Sequence, residues 1–252
     1  MHYPHYENLL APARPKAQLW RLIVGLILGT VIYYVGVLYT VSSLMQVMQM
    51  STAELTATFD VVDTPFWTGV MLFSFIFMSL PVFLVTEILH KRRWTTLFAH
   101  WQIEKRVFLV VTLALILLAV ALELLPPWNL GLLQANPQLN FSNWLMLLPV
   151  AALAVLIQTS AEELVFRGYF QSQLAARFNS PLVWMVIPSA IFGLLHYDPG
   201  TWGDGAIWPV LWAFMFGLCA ADLVARSGTL SAAIALHFVN NLYLMSIEVL
   251  EN

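Results

Sequence analysis

An all-α membrane bundle of about seven spanning helices, eight if one further segment crosses, is the fold class this chain predicts, and three observations carry it. The first is composition: of 252 residues, 60% are hydrophobic and only 10% charged, against roughly 45–50% apolar and about 25% charged in soluble domains. So few charged groups cannot cover the surface of a water-soluble body with that apolar content. The second is the presence of apolar runs of the roughly 20 residues needed to cross a bilayer. The third is the placement of Trp20, Trp67, Trp128, Trp144, Trp184 and Trp208 near the ends of those runs, as expected of rings that prefer the headgroup level. In lipid only helices or closed barrels satisfy the backbone, and runs of this length specify helices.

The expected spans, in order, are 20–45, 65–89, 107–126, 144–172, 181–197, 206–225 and 228–250. The first follows a polar lead with Arg14, Lys16 and Arg21. It is longer than the roughly 7–15 residues of a signal-peptide core and reads as a retained anchor. Glu54, Asp60 and Asp63 separate the first two spans, whereas Lys91, Arg92, Arg93, Lys105 and Arg106 separate the second and third. By the positive-inside rule the amino terminus and the 91–106 segment face the cytoplasm, and the acidic loops, including that near Asp198 and Asp204, face out. Within the basic segment Trp94, Leu97, Phe98 and Trp101 recur at three- and four-residue spacing, which fits a short interfacial helix or an irregular loop. Pro126, Pro127, Asn129, Gly131, Asn136 and Pro137 break the chain before the fourth span. With no internal repeat, residues 1–252 read as one membrane domain.

Other classes fall away. A net charge of −3 does not suit a nucleic-acid partner. The single cysteine, Cys219, permits neither an internal disulfide nor a paired-cysteine metal knuckle. It lies between Gly217 and Ala220, whose size suits close helix packing.

Against this background, polar residues inside spans are informative, because an ionisable group there costs about 2.5–3.5 kcal/mol on insertion scales. The fourth span carries Glu162, Glu163 and Arg167 within two turns. Glu163 and Arg167 are spaced to pair; Glu162 points about 100° away and keeps an uncommitted carboxylate. The fifth span contains Phe192 and His196, the seventh His237 and Asn241, an i,i+4 pair on one face. Glu162 and His196 lie equally far from a turn centred near Asn179, so antiparallel helices bring them to one depth. His237 follows Arg226 by 11 residues, about 16 Å into the membrane at helical rise. Glu87, Asp222 and Glu123 sit near span ends and read as structural. Asp198-Pro199-Gly200 and Gly203-Asp204-Gly205 read as a turn after His196.

The run Glu162-Glu163-Leu164-Val165-Phe166-Arg167-Gly168, then Phe192 with His196 four residues on, then His237 with Asn241 four residues on, resembles the three motifs of the CPBP family, the CAAX prenyl endopeptidase and bacteriocin-processing intramembrane proteases also called Abi. The likeness covers about 142–245, expected as the catalytic core, and includes the Phe216-Gly217 and Arg226-Ser227-Gly228 context. It implies hydrolysis of a peptide bond in a membrane-associated protein or peptide. Glu162 with His196 would activate water, and His237 and Asn241 would stabilise the oxyanion. Glu163 and Arg167 would support the site, with Phe192 packed beside it. No cofactor is expected. The rival is a zinc site on Glu162, His196 and His237 with an open position, although the sequence lacks HExxH. A non-catalytic immunity or scaffold protein and an ion-coupled transporter are alternatives that use the same buried charges. The expected setting is a prokaryotic cytoplasmic membrane; oligomeric state and substrate identity are not read from the sequence.

Overall fold

The computed structural model describes residues 3–51, 65–126 and 141–251. The expected acidic loop with Glu54, Asp60 and Asp63, and the break at Pro127, Trp128, Asn129, Gly131, Asn136 and Pro137, lie outside them, as do the side chains of Glu123 and Trp144. Every regular element among the described residues is helical. The main helices are α1 (Leu19–Met48), α2 (Pro65–Ser74), α3 (Ile76–Ile88), α4 (Trp101–Leu124), α5 (Phe141–Glu163), α6 (Ile187–Leu194), α7 (Ile207–Ser227) and α8 (Ser231–Glu251).

Among the described residues, five stretches are long and apolar enough to span a membrane: Leu19–Met48, Phe66–Ile88, Trp94–Leu122, Leu145–Ala175 and Ile207–Ser227. Two expectations shift. The fifth span is not a continuous rod over 181–197. Leu182–Leu194 and Pro199–Gly205 form one bent unit with a 60° angle, because Pro199 disfavours helical backbone at Asp198. Asp198 takes φ −132° and caps a new turn, its Oδ1 accepting from Gly200 N at 3.0 Å and Thr201 N at 3.2 Å. Counting that unit gives six spans. The expected seventh, α8, is not among the qualifying stretches and carries His237, Asn240 and Asn241.

The basic segment contains a single helical turn, Trp94–Leu97; Trp101 opens α4 instead of lying on an interfacial helix. Trp20 and Trp208 are exposed near span starts, 54% and 69%, but Trp184 and Trp67 are buried. Trp184 packs against the rings of Tyr3 and Tyr6, with centroids 5.7 and 5.5 Å away. The amino-terminal lead is therefore docked: Tyr6, Leu9, Leu10 and Ala13 are all buried.

At one end of the bundle, contacts tie the lead, the 89–100 loop and the α7–α8 turn together. Arg92 Nη2 donates to Leu9 O at 3.0 Å, and burial lowers its pKa to about 10. His90 Nδ1 donates to Lys16 O at 2.9 Å and Nε2 accepts from Tyr169 at 2.8 Å; burial lowers its pKa. Gly228 closes α7 at φ +68°, where a side chain would also meet His5 O at 2.5 Å. Glu104, in the first turn of α4, accepts from Ala99 N at 2.7 Å and Ser231 N at 2.8 Å. It thereby caps α8 and fixes the register of the helix that bears His237.

Helix packing follows residue size. α7 lies on α6 and α8, and α8 lies on α4 and α5. The facing surfaces are rich in small residues: Ala213, Ala220, Ala221 and Ala225 on α7, and Ala232, Ala233 and Ala235 on α8, are all buried. Small side chains let helices approach where lipid supplies no hydrophobic drive between them.

Candidate active site

α5 passes directly into π-helix over Leu164–Gln171 and ends in the turn Ser172–Ala175. The widened backbone begins just after Glu163, a setting in which π-bulges recur near functional residues. The spacing of Glu163 and Arg167 survives the change: Arg167 Nη1 donates to Glu163 Oε1 at 2.9 Å, both side chains being 2% exposed or less. His237 Nδ1 contacts the same Oε1 at 2.8 Å. Because a carboxylate paired with arginine only accepts, Nδ1 is the donor and a neutral His237 presents its Nε2 lone pair on the other side. The Arg167 guanidinium also lies over the Phe192 ring, 4.7 Å from its centroid, a favourable cation–π placement.

Glu162 takes a different position. Gln158 Nε2 donates to its Oε1 at 2.6 Å. Its Oε2 is buried without a hydrogen-bond partner and stands 3.7 Å from His237 Nε2, too far for a direct bond. Both glutamates leave a buried Oε2 without a hydrogen-bond partner; they differ at Oε1, which in Glu163 meets Arg167 and His237 and in Glu162 accepts from the uncharged Gln158 amide.

A cavity of about 360 Å³ adjoins this cluster, and Gln158, Phe192, His196, Phe216, His237 and Asn241 are among its lining residues. The cavity thus collects the motif residues Phe192, His196, His237 and Asn241, with Gln158 of α5 beside them. His196 reaches it from the bend after α6. Its Nδ1 lies 2.8 Å from Phe192 O; a carbonyl only accepts, so Nδ1 carries a proton, and a neutral ring presents its lone pair at Nε2. Phe192 is 2% exposed and spaces the imidazoles, its ring centroid 4.8 Å from His196 and 6.0 Å from His237. Asn241 Nδ2 donates to Gln158 Oε1 at 3.1 Å.

The structure brings Glu162 next to His237, and His196 lines the same cavity without a bond to Glu162 among the contacts described. Gln158 joins the site although the motif reading passed over it; its place one turn before Glu162, at the end of a long apolar run, was the available signal. Among the described residues, no three His, Cys, Asp or Glu side chains are arranged to hold a metal ion. Glu162, His196 and His237 do not form such a group. Asp222 has a structural environment, accepting from Tyr3 at 2.8 Å and Arg226 at 2.5 Å. Cys219 is exposed, while Gly217 and Ala220 are buried at the packing surface.

Long apolar helices around a buried polar cluster define an integral membrane protein of the all-α class. Residues 142–243 match the family model of Type II CAAX prenyl endopeptidase Rce1-like proteins, so the resemblance carried by the three motifs is borne out over the segment that bears them. At family level this supports a CAAX-type intramembrane endopeptidase. The chain is also similar to an uncharacterized protein of Bacillus subtilis strain 168, YyaK, at 25% identity over 249 residues, covering 94% of this chain and 81% of the relative. No solved structure matches the chain.

Proposed function

We propose that the protein is an intramembrane endopeptidase that hydrolyses a peptide bond in a membrane-associated protein or peptide, with Glu162 as general base. The observation that carries this reading is the buried, unpartnered Oε2 of Glu162, 3.7 Å from His237 Nε2, beside a cavity that His196 and Asn241 also line. Glu163 Oε2 is buried without a partner too, but that carboxylate is held by the Arg167 charge; Glu162, anchored by the uncharged Gln158 amide, is the one free to take a proton. Water entering the cavity attacks the scissile carbonyl carbon while Glu162 takes its proton. The His196 Nε2 lone pair orients that water. Asn241 keeps an amide hydrogen for the developing oxyanion, and His237 adds a second donor whenever it is protonated. Glu162 then returns its proton to the leaving nitrogen as the C–N bond breaks. Glu163 and Arg167 hold His237 in the tautomer and orientation described above.

The basic residues of the 91–106 segment, with the docked amino terminus beside it, favour the cytoplasmic side of the membrane.

The test is a comparison of protein termini in membranes from cells carrying the wild-type chain or Glu162→Gln. Termini produced by the enzyme should appear about 10²–10⁴ times more slowly in the variant, at equal protein level. The same termini at the same rate would refute the catalytic reading and leave a scaffold or immunity role. Cleavage should persist in protein stripped by chelator and verified metal-free by elemental analysis. Loss that zinc restores would establish the metal-dependent version instead.

A further inference from the structure

We propose that Gln158 is a positioning residue that sets the base and the oxyanion donor against each other across two helices, an inference that rests on the reading above. Gln158 is 8% exposed and stands at the centre of a directed hydrogen-bond chain. Asn240 Nδ2 donates to Asn241 Oδ1 at 3.1 Å, Asn241 Nδ2 to Gln158 Oε1 at 3.1 Å, and Gln158 Nε2 to Glu162 Oε1 at 2.6 Å.

Charge fixes the direction of that chain. An ionised carboxylate offers only lone pairs, so the end of Gln158 that faces Glu162 must be its amino group. Its carbonyl is then turned toward Asn241, which can answer only with N–H. Asn241 Oδ1 is left facing Asn240, where it finds a donor. Every amide orientation in the chain follows from one negative charge.

Two consequences bear on catalysis. Glu162 is anchored through Oε1, which keeps Oε2 on the His237 side and stops the carboxylate from rotating. Asn241 commits one amide hydrogen to Gln158, which aims the second at a carbonyl oxygen bound in the cavity. Base and oxyanion donor belong to α5 and α8, and the Gln158 amide bridges them directly. Misplacing such groups by about 1 Å costs on the order of 10²-fold in rate, so this bridge should be visible in turnover.

The experiment follows the initial rate at which Glu162-dependent termini appear in isolated membranes between pH 5 and pH 8, with Gln158→Met and Gln158→Glu beside wild type and Glu162→Gln. Methionine keeps the length and removes the donor; its rate should fall about 10–100-fold at every pH relative to wild type. In Gln158→Glu the new carboxyl repels Glu162 when ionised and donates to it when protonated. Its rate relative to wild type should therefore rise about tenfold from pH 8 to pH 5, a recovery that a packing role would not produce. Monodispersity in detergent checks folding. If the methionine variant fails that check, the pH series of the near-isosteric glutamate variant decides. A methionine variant that folds and stays within twofold of wild type, or a glutamate variant that follows the wild-type pH profile, would overturn the proposal while Glu162→Gln remains inactive. If Glu162→Gln itself cleaves normally, the catalytic reading falls and this inference with it.

Discussion

The Trp94–Leu122 and Leu145–Ala175 stretches are nearly equal in length, 29 and 31 residues, yet none of the apolar window of the first is buried inside the protein against 33% of the second. The first holds most of α4, the second most of α5 and the π-helix, with Glu163 and Arg167. In water the more apolar helix would be the inner one. Here Leu113, Leu117 and Val110 face outward at 58%, 68% and 57% exposure, because lipid solvates them as well as protein does. The inside is instead marked by groups that lipid cannot solvate, which must find partners, and by small residues that admit close backbones. α4 joins the interior through a narrow face, where Phe108 meets Phe238 with ring centroids 6.1 Å apart, and through Glu104 at its start.

The largest effect should come from the buried charges. Arg167→Met leaves Glu163, 0% exposed, with His237 as its only described partner, and removing one member of a buried ion pair costs about 3–5 kcal/mol. The expected result is a strong loss of thermal stability in detergent and of protein level in membranes. A variant as stable as wild type would mean that the inner half is not held by its polar cluster. A smaller loss is expected for Gly193→Ala on α6, whose added Cβ would stand 2.8 Å from Val210 O and 3.0 Å from Phe214 Cβ. Backbone cannot move aside as a flexible side chain can, so overpacking of about 1–3 kcal/mol should follow, read as a lowered melting temperature.

The same contrast explains what the sequence disclosed. Glu163–Arg167 pairing and the shared placement of His196, His237 and Asn241 around one cavity follow from helical spacing and motif order, and the structure contains both. The bend after α6 was half visible: Asp198-Pro199-Gly200 announces a turn, but apolar content through Tyr197 drew the expected span three residues beyond Leu194, where the helix ends. The docking of the amino-terminal lead was not legible: Tyr6, Leu9 and Leu10, interleaved in a polar run, acquire meaning only when α7 and the 89–100 loop supply a surface. Glu104 and Gln158 escaped for a related reason. Their roles depend on partners 126 or 127 and 83 residues away in Leu230, Ser231 and Asn241, and no local pattern encodes those distances.

The smallest effect should come from the outer face of α4, and it tests the comparison most directly. Leu117→Ala removes a side chain that is 68% exposed; if lipid is its neighbour, acyl chains close over the smaller residue and no cavity remains. Stability in the bilayer and cleavage rate should then stay within about 0.5 kcal/mol and twofold of wild type, the range of surface substitutions without special contacts. Leu164→Ala is the matched control, since Leu164 is 3% exposed in the π-helix and its truncation leaves a void worth about 2–5 kcal/mol. Equal costs at the two positions would contradict the division of the bundle into a lipid-solvated rim and a polar, close-packed centre. A large cost at Leu117 alone would mean that this face is covered by protein in the membrane, and cross-linking through Leu117→Cys would then report what covers it.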